Sequence, residues 1–514
     1  MATVVNSFAL DGVNAYPVLV ETVTLHGQPS VNIVGLGDTA VKEAAHRLEA
    51  ALSCGSFEFP RLKVVINLAP SGMKKSGSHF DLPMAVSLLH EAGQILAPNE
   101  DLLEIAFIGE LSLNAELRAV RGVLPMAIAA RESGLKKLFV PLGNYAEASL
   151  VKGIEVYAFR TLLELVNYLQ GTLEYQPPVL SVIDRLPSEK DGLDFYDVRG
   201  QEVLIEYIVA AVAGSHNILM IGPPGCGKSM IAKRIPTIMP ALSEEEALEI
   251  TRIYSVTGHL RESGHLIKDR PFRTPHHNAS TNALVGGGSP VVPGEISLAH
   301  NGVLFLDEIA EFNKKALDAL RQPMEDKVVT VSRVNSTGTF PANFMLVSAM
   351  NPCPCGYYGQ ARCRCTDYEV VKYRQKLSGP ILDRIEVHKY VQPVGFLNLS
   401  EQDNGPRSAE LRERVQQARD IQQVRFAGIP YVNSNAQMNE AMIKAFCSLE
   451  SDSIRLLSLA FEKFQYSART YNKFLKIART FADLEASLDI RKQDISAALM
   501  ARDMDKDRSG MLVV

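Results

Sequence analysis

Tryptophan is absent from the 514-residue chain, and aromatic side chains make up only 7% of it. A single-strand binding surface that stacks bases on rings is therefore disfavoured. No apolar run reaches the roughly 18 residues that a membrane-spanning helix needs. The opening Met1-Ala2-Thr3-Val4-Val5-Asn6 lacks the basic segment and apolar stretch of a secretory leader. The cytoplasm is the expected compartment, with no membrane partner. Neither sign of charge dominates: 53 Lys and Arg face 58 Asp and Glu, for a net charge of −5. That balance excludes a globally basic protein, so any contact with nucleic acid must come from a local patch or from the lumen of a ring. Cysteine is scarce too, with seven in all. In a reducing compartment they are expected to stay thiols. Cys54, Cys226 and Cys447 are solitary, and the other four form a cluster.

With 46% hydrophobic and 22% charged residues, the chain reads as an ordinary globular protein whose length implies about three domains. Residues 1–170 alternate between the two periodicities. Ala15–Val20 and Lys63–Leu68 read as strands, Pro17 placing the first of them near a sheet edge. Thr39–Ser53 and Leu82–Ala92 carry helical apolar spacing. This pattern implies a layered α/β domain. Residues 171–193, with Gln176-Pro177-Pro178 and Pro187 to Gly192, read as a linker. Residues 194–394 hold the motifs described next, and residues 395–514 are strongly helical in pattern, with amphipathic stretches at Glu410–Val424 and Ser453–Phe464.

The central motif is Gly222-Pro223-Pro224-Gly225-Cys226-Gly227-Lys228-Ser229, a G-x-x-x-x-G-K-S loop. Before it lies the apolar run Asn217–Ile221, suited to a buried strand, and after it Met230–Arg234 can open a helix. That context turns a glycine-rich string into a phosphate cradle, with backbone N–H groups and a helix N-terminus facing the anion. Lys228 is expected on the β- and γ-phosphates of ATP and Ser229 on Mg²⁺. Further on, Gly302–Leu306 makes a buried strand that delivers Asp307 and Glu308 to its end. Asp307 suits Mg²⁺, and Glu308 suits the water that attacks phosphorus. A third strand, Phe344–Met350, ends at Asn351, whose amide can sense the γ-phosphate. Cys353, Cys355, Cys363 and Cys365 follow with C-x-C-x₇-C-x-C spacing. Four thiolates in so short a stretch suit a tetrahedral Zn²⁺, though reduced loop thiols share the pattern.

Two phrases of the first unit resemble the Lon-protease-like fold: Asn67–Pro83, and Gly109–Leu113 followed by Leu117–Gly122. In active members a serine and a lysine occupy positions that align here with His79 and Leu124. Acyl transfer needs a nucleophile and a base. The resemblance is therefore to the inactive version, as in bacterial RadA-type recombination proteins, and a scaffold is expected rather than a peptidase.

The loop at 222–229, the Asp307-Glu308 strand, Asn351 and a helical C-terminal lid together resemble an AAA+ ATPase. Ala283–Pro290 through Pro293–Leu298 resembles a helix-2 insert, and Glu325–Val334 with Phe340–Ala342 resembles a pre-sensor-1 hairpin. Magnesium chelatase I subunits and MCM helicases share both. The bacterial ComM/YifB family combines them with an inactive Lon-like domain. It also has phrases like Arg273-Thr274-Pro275-His276-His277, Pro293–His300 and Asn351-Pro352-Cys353-Pro354-Cys355-Gly356, and this chain resembles it over nearly its whole length. Members of that family are ATP-driven hexameric DNA motors implicated in branch migration during natural transformation. The resemblance implies a homohexameric ring on branched and single-stranded DNA, without sequence preference. It also implies that Arg384 is the arginine finger and Arg469 the sensor 2. Arg333 falls where MCM hairpins carry a DNA-contacting lysine, and Arg333 with Lys327 would follow the phosphate backbone. A second reading stays open, a remodeller of a protein partner akin to the magnesium chelatase I subunit.

Overall fold

The computed structural model describes residues 2–179, 192–260, 265–288, 291–333, 336–393 and 405–505. The chain opens with a hairpin whose strands, Thr3–Asp11 and Asn14–Leu25, pair antiparallel. They lie inside a seven-stranded mixed sheet. Its spatial order is Ser30–Val34, Lys63–Ala69, Asn14–Leu25, Thr3–Asp11, Ile105–Phe107, Lys137–Pro141 and Glu155–Phe159. Val5 and Ala9 enter one core and Phe8 the other, as the two-residue period of a strand requires. Helices Thr39–Cys54 and Asp81–Glu91 cover the first face and Val123–Glu132 the second. Thr39–Cys54 buries Val41, Ala44, Leu48, Ala51 and Leu52, a 3.6-residue stripe, and Asp38 caps it by accepting from the Val41 N–H at 3.0 Å.

Two expectations are corrected here. Pro17 stands in an interior strand, not an edge strand. It is tolerated because pairing with Lys63–Ala69 begins only at Leu19↔Ala69, leaving one flank open at Pro17. Residues 171–179, expected to begin a linker, are tied to this domain. The Tyr175 hydroxyl accepts from the Ala158 N–H at 3.0 Å, and its ring packs on Tyr157. Residues 180–191 of that segment lie outside the described residues.

The second sheet has five parallel strands in the order Phe272–Arg273, Val303–Leu306, Met345–Met350, Ile218–Ile221 and Val387–Tyr390. The first strand of this unit in sequence, Ile218–Ile221, therefore sits between its fourth and fifth. All carboxyl ends share one edge, and the strand order reverses at Ile218–Ile221, which opens a crevice for a ligand there. Two short excursions interrupt the pattern. One comprises helix Thr281–Val285, a two-residue pairing of Gly286–Gly287 with Val292–Pro293, and helix Glu295–Leu298. It is tied to the sheet by Arg273, which donates to both Glu295 oxygens at 2.6 and 2.7 Å. The other is an antiparallel hairpin of Val328–Arg333 and Ser336–Pro341. Glu325 and Asp326, expected inside that hairpin, instead close helix Arg321–Asp326. Lys327 ends the helix in the left-handed conformation, at φ +59°. Val329, Val331 and Phe340 anchor one hairpin face in the core.

Of the C-terminal region, residues 405–505 are described and form helices Ser408–Arg425, Glu440–Phe446, Ser451–Phe464, Ala468–Leu484 and Lys492–Met500. Their apolar faces are continuous with the sheet's: Val209, Ile231, Val415, Phe474 and Ile495 share one core. Buried Asp483 ties the bundle by accepting from Arg425, Arg479 and Asn435. The two sheets are joined as well. Glu147 accepts from the Leu124 N–H and from the Ser255 hydroxyl, and Gly122 N–H donates to Ser255 O at 3.1 Å. No helix among the described residues is long and apolar enough to cross a membrane.

Candidate functional site

Strand Ile218–Ile221 is buried at all four residues and feeds directly into Gly222–Gly227, after which helix Lys228–Ile238 begins. Gly227 caps that helix at φ +89°, a conformation that side chains rarely adopt. A Cβ at Gly222 would fall 2.7 Å from Val391 O and 2.8 Å from Cys226 Sγ, so the loop closes only with glycine there. The buried Lys228 ammonium turns back into the cup, donating to Gly222 O at 2.6 Å and Pro223 O at 2.9 Å. It also lies 3.4 Å from Asn351 Oδ1. Cys226 is buried beneath the loop, and burial pushes its thiol pKa up.

Strand Val303–Leu306, buried throughout, brings Asp307 to the mouth of this loop. Ser229 Oγ donates to Asp307 Oδ2 at 2.6 Å, while Asp307 Oδ1 accepts from the Glu308 N–H at 2.9 Å. A hydroxyl and a carboxylate oxygen at this spacing are the hard donor set that Mg²⁺ takes, so the residues fit the ion. Glu308 sits at φ +50°, a strained position for a side-chain-bearing residue. Its exposed carboxylate lies 3.8 Å from His277 Nδ1. Asn351 follows strand Met345–Met350, close to Tyr373, whose pKa burial pushes up to about 12. Lys228, Ser229, Asp307, Glu308 and Asn351 are thus brought together. His277 was missed as a partner of Glu308. The signal is in the strand register: Arg273 pairs with Leu304, and four residues beyond each come His277 and Glu308.

The arginines stand apart from this cluster. Arg384 follows helix Gly379–Leu382 and pairs with Glu325 at 2.6 Å, donating also to Pro380 O at 2.8 Å. Its Nε is buried and has no hydrogen-bond partner. Arg469 is exposed on the first turn of helix Ala468–Leu484, behind the Ser467 cap. Among the described residues, neither makes a hydrogen bond or ion pair with the Gly222–Ser229 loop. Arg333 ends its hairpin strand opposite Ser336, and its side chain lies outside the described residues. Lys327 is half-buried, which lowers its pKa, and Glu386 opposes that shift.

Cys353, Cys355, Cys363 and Cys365 converge, with all four sulfurs within 4.8 Å of one another. In the first domain, His79 and Leu124 are buried. His79 Nε2 lies 2.9 Å from Phe8 O, and burial lowers its pKa to about 4. No nucleophile and base meet at these two positions.

A five-stranded parallel sheet with a lysine-bearing phosphate loop, and an acidic strand set off from it by one intervening strand, defines a P-loop ATPase of the AAA+ class. The family model "Magnesium chelatase, subunit ChlI" matches residues 194–398. "Subunit ChlI of Mg-chelatase" matches residues 20–144, and "Magnesium chelatase, subunit ChlI C-terminal" matches residues 405–502. Competence protein ComM of Haemophilus influenzae is 40% identical over 98% of this chain and 97% of that protein. YifB of Escherichia coli is 39% identical over the same shares. Lon protease 2 of Bacillus subtilis is 25% identical over 32% of each chain, a partial likeness. The chain belongs to the ComM/YifB family of magnesium-chelatase-like AAA+ proteins.

Proposed function

We propose that the protein is an ATP-hydrolysing, hexameric DNA motor of the cytoplasm that promotes branch migration of recombination intermediates during natural transformation. The observation that carries the ATPase half is the Ser229–Asp307 contact at 2.6 Å beside the Lys228 cup. The DNA half rests on the relative named a competence protein.

In this reading Lys228 exchanges the carbonyls of Gly222 and Pro223 for phosphate oxygens. Ser229 and Asp307 hold Mg²⁺, which when bound neutralises phosphate charge. Glu308 orients the attacking water and His277 fixes the glutamate. Asn351, bonded to Lys228, responds to the γ-phosphate. Arg384 reaches the site of the neighbouring subunit, where an arginine supplied in trans stabilises the transition state. Arg469 closes the lid as sensor 2.

Movement follows from the Arg384–Glu325 ion pair. Glu325 lies in the helix that leads through Lys327 into hairpin Val328–Pro341. When Arg384 engages a neighbour's nucleotide it releases Glu325, and the hairpin's base is freed. Arg333 and Lys327 then pass the DNA backbone between hairpins, a sequence-independent contact. The test is a labelled four-way junction incubated with ATP. Resolution by the wild type and none by Lys228→Ala supports the motor. A junction left intact by an active ATPase overturns it and favours a remodeller of a protein partner.

A further inference from the structure

The four-cysteine knuckle takes no part in the phosphate chemistry just described, yet its geometry is that of a built site. A tetrahedral Zn²⁺ with bonds of about 2.3 Å to sulfur requires sulfur–sulfur separations of about 3.8 Å. Here Cys353 lies 3.4 Å from Cys355 and 3.9 Å from Cys363, and Cys355 lies 3.7 Å from Cys363. Disulfide sulfurs sit at about 2.0 Å, so these groups are unbonded thiols at ligand spacing. Thiolates packed this closely are stable together only around a cation. All-sulfur tetrahedral sites select zinc or iron among the common metals.

The position of the knuckle says what the metal would do. Cys353 comes two residues after Asn351, and Gly356 closes the first turn with its N–H on Cys353 O at 3.0 Å. Gly356, at φ +85°, presses its backbone against the phosphate loop: a Cβ there would lie 2.6 Å from Pro224 Cδ. The far side is held by Arg374, whose Nε donates to Pro352 O at 3.3 Å and whose guanidinium covers the Tyr358 ring at 5.1 Å. Outer partners of this kind fix a metal's ligands in place. We infer that Cys353, Cys355, Cys363 and Cys365 bind one Zn²⁺, and that the metal clamps the Asn351–Gly356 turn onto Pro224 so that the phosphate loop is pre-shaped for nucleotide. The metal assignment stands on the sulfurs alone, whereas the clamping role rests on the reading of Gly222–Ser229 as the nucleotide loop.

The experiment uses the full chain purified without added metal. Elemental analysis should find about one zinc per chain, lost on substitution of Cys363→Ser. Cobalt loaded in place of zinc should show thiolate-to-metal charge-transfer bands. Zinc below about half an equivalent together with no cobalt bands overturns the site, and stoichiometric iron overturns the choice of metal. For the clamp, the Kd of a fluorescent ATP analogue is measured before and after zinc is withdrawn with a thiol-directed mercurial and the thiols are regenerated. Circular dichroism verifies that the fold survives. Weakening by about fivefold or more, reversed by added zinc, is the expected result. Unchanged affinity overturns the clamp and leaves the ATP reading standing. Failure of the zinc-loaded protein to bind the analogue overturns the ATP reading and the clamp together, while the metal content still reports on the site.

Discussion

His277 Nδ1 faces Glu308 Oε2 at 3.8 Å across two neighbouring parallel strands. Glu308 is otherwise exposed and stands on a strained backbone, so an imidazole at this distance is what limits its orientation. Replacing Glu308 with Gln should lower kcat by about 10²-fold or more while nucleotide still binds. His277→Ala should lower kcat by about tenfold and leave KM for ATP unchanged, because it removes orientation and not binding. A matched rise in KM would show that His277 serves the loop's structure instead.

Arg384 is paired with Glu325 of its own chain and, among the described residues, makes no hydrogen bond or ion pair with its own phosphate loop, so the proposed arginine finger would act on a neighbouring subunit. Lys228→Ala and Arg384→Ala should each hydrolyse ATP at least about 10³-fold more slowly. Mixed in equal amounts and allowed to exchange subunits, the two inactive variants should regain about a quarter of the wild-type rate. That fraction arises where an intact loop meets an intact arginine. No recovery in an exchanged assembly would place the arginine's role elsewhere.

Glu325→Gln tests the link between the finger and the hairpin. The substitution removes the ion pair that holds Arg384 at 2.6 Å and leaves the phosphate loop untouched. Hydrolysis should continue near the wild-type rate while junction movement per ATP falls. Equal loss of both would mean that Glu325 merely supports the fold.

Buried histidines set an acid limit on stability. His79 titrates near 4 when folded and near its ordinary 6.5 when unfolded, and His216 near 3, burial being the main cause in both. Between those values the unfolded chain takes protons that the native chain refuses. Stability is therefore full above pH 6.5 and declines as pH falls towards 4, by up to about 3 kcal/mol for His79. Urea midpoints at pH 7.5 and pH 5 should show this decline, and His79→Gln should flatten part of it. A midpoint that is flat or rises towards pH 5 contradicts the assignment.

Much of the site was legible because its parts are local. The apolar run before Gly222 makes a strand, glycines at positive φ make the loop, and the run before Asp307 makes a second strand of the same sheet. Periodicity gave helix Thr39–Cys54 to within a residue. What stayed hidden depends on how segments meet. His277 reaches Glu308 only through the pairing of Arg273 with Leu304. Pro17 is interior because a neighbouring strand starts two residues late. Tyr175 docks a stretch whose prolines suggest a linker. Glu325 ends a helix because Lys327 takes the left-handed conformation that stops it, and no pattern in the sequence announces that turn. The pairing of Arg384 with Glu325 across 59 positions is likewise a product of the fold.

The central claim is that ATP hydrolysis at Gly222–Ser229 is coupled to DNA. The most direct measurement is the steady-state ATPase rate of the full chain at low salt, with and without branched DNA. The expected result is a several-fold rise in kcat on adding the DNA, screened away as salt increases and absent in Lys228→Ala. An ATPase of the same rate with and without DNA, at every salt concentration, would contradict it.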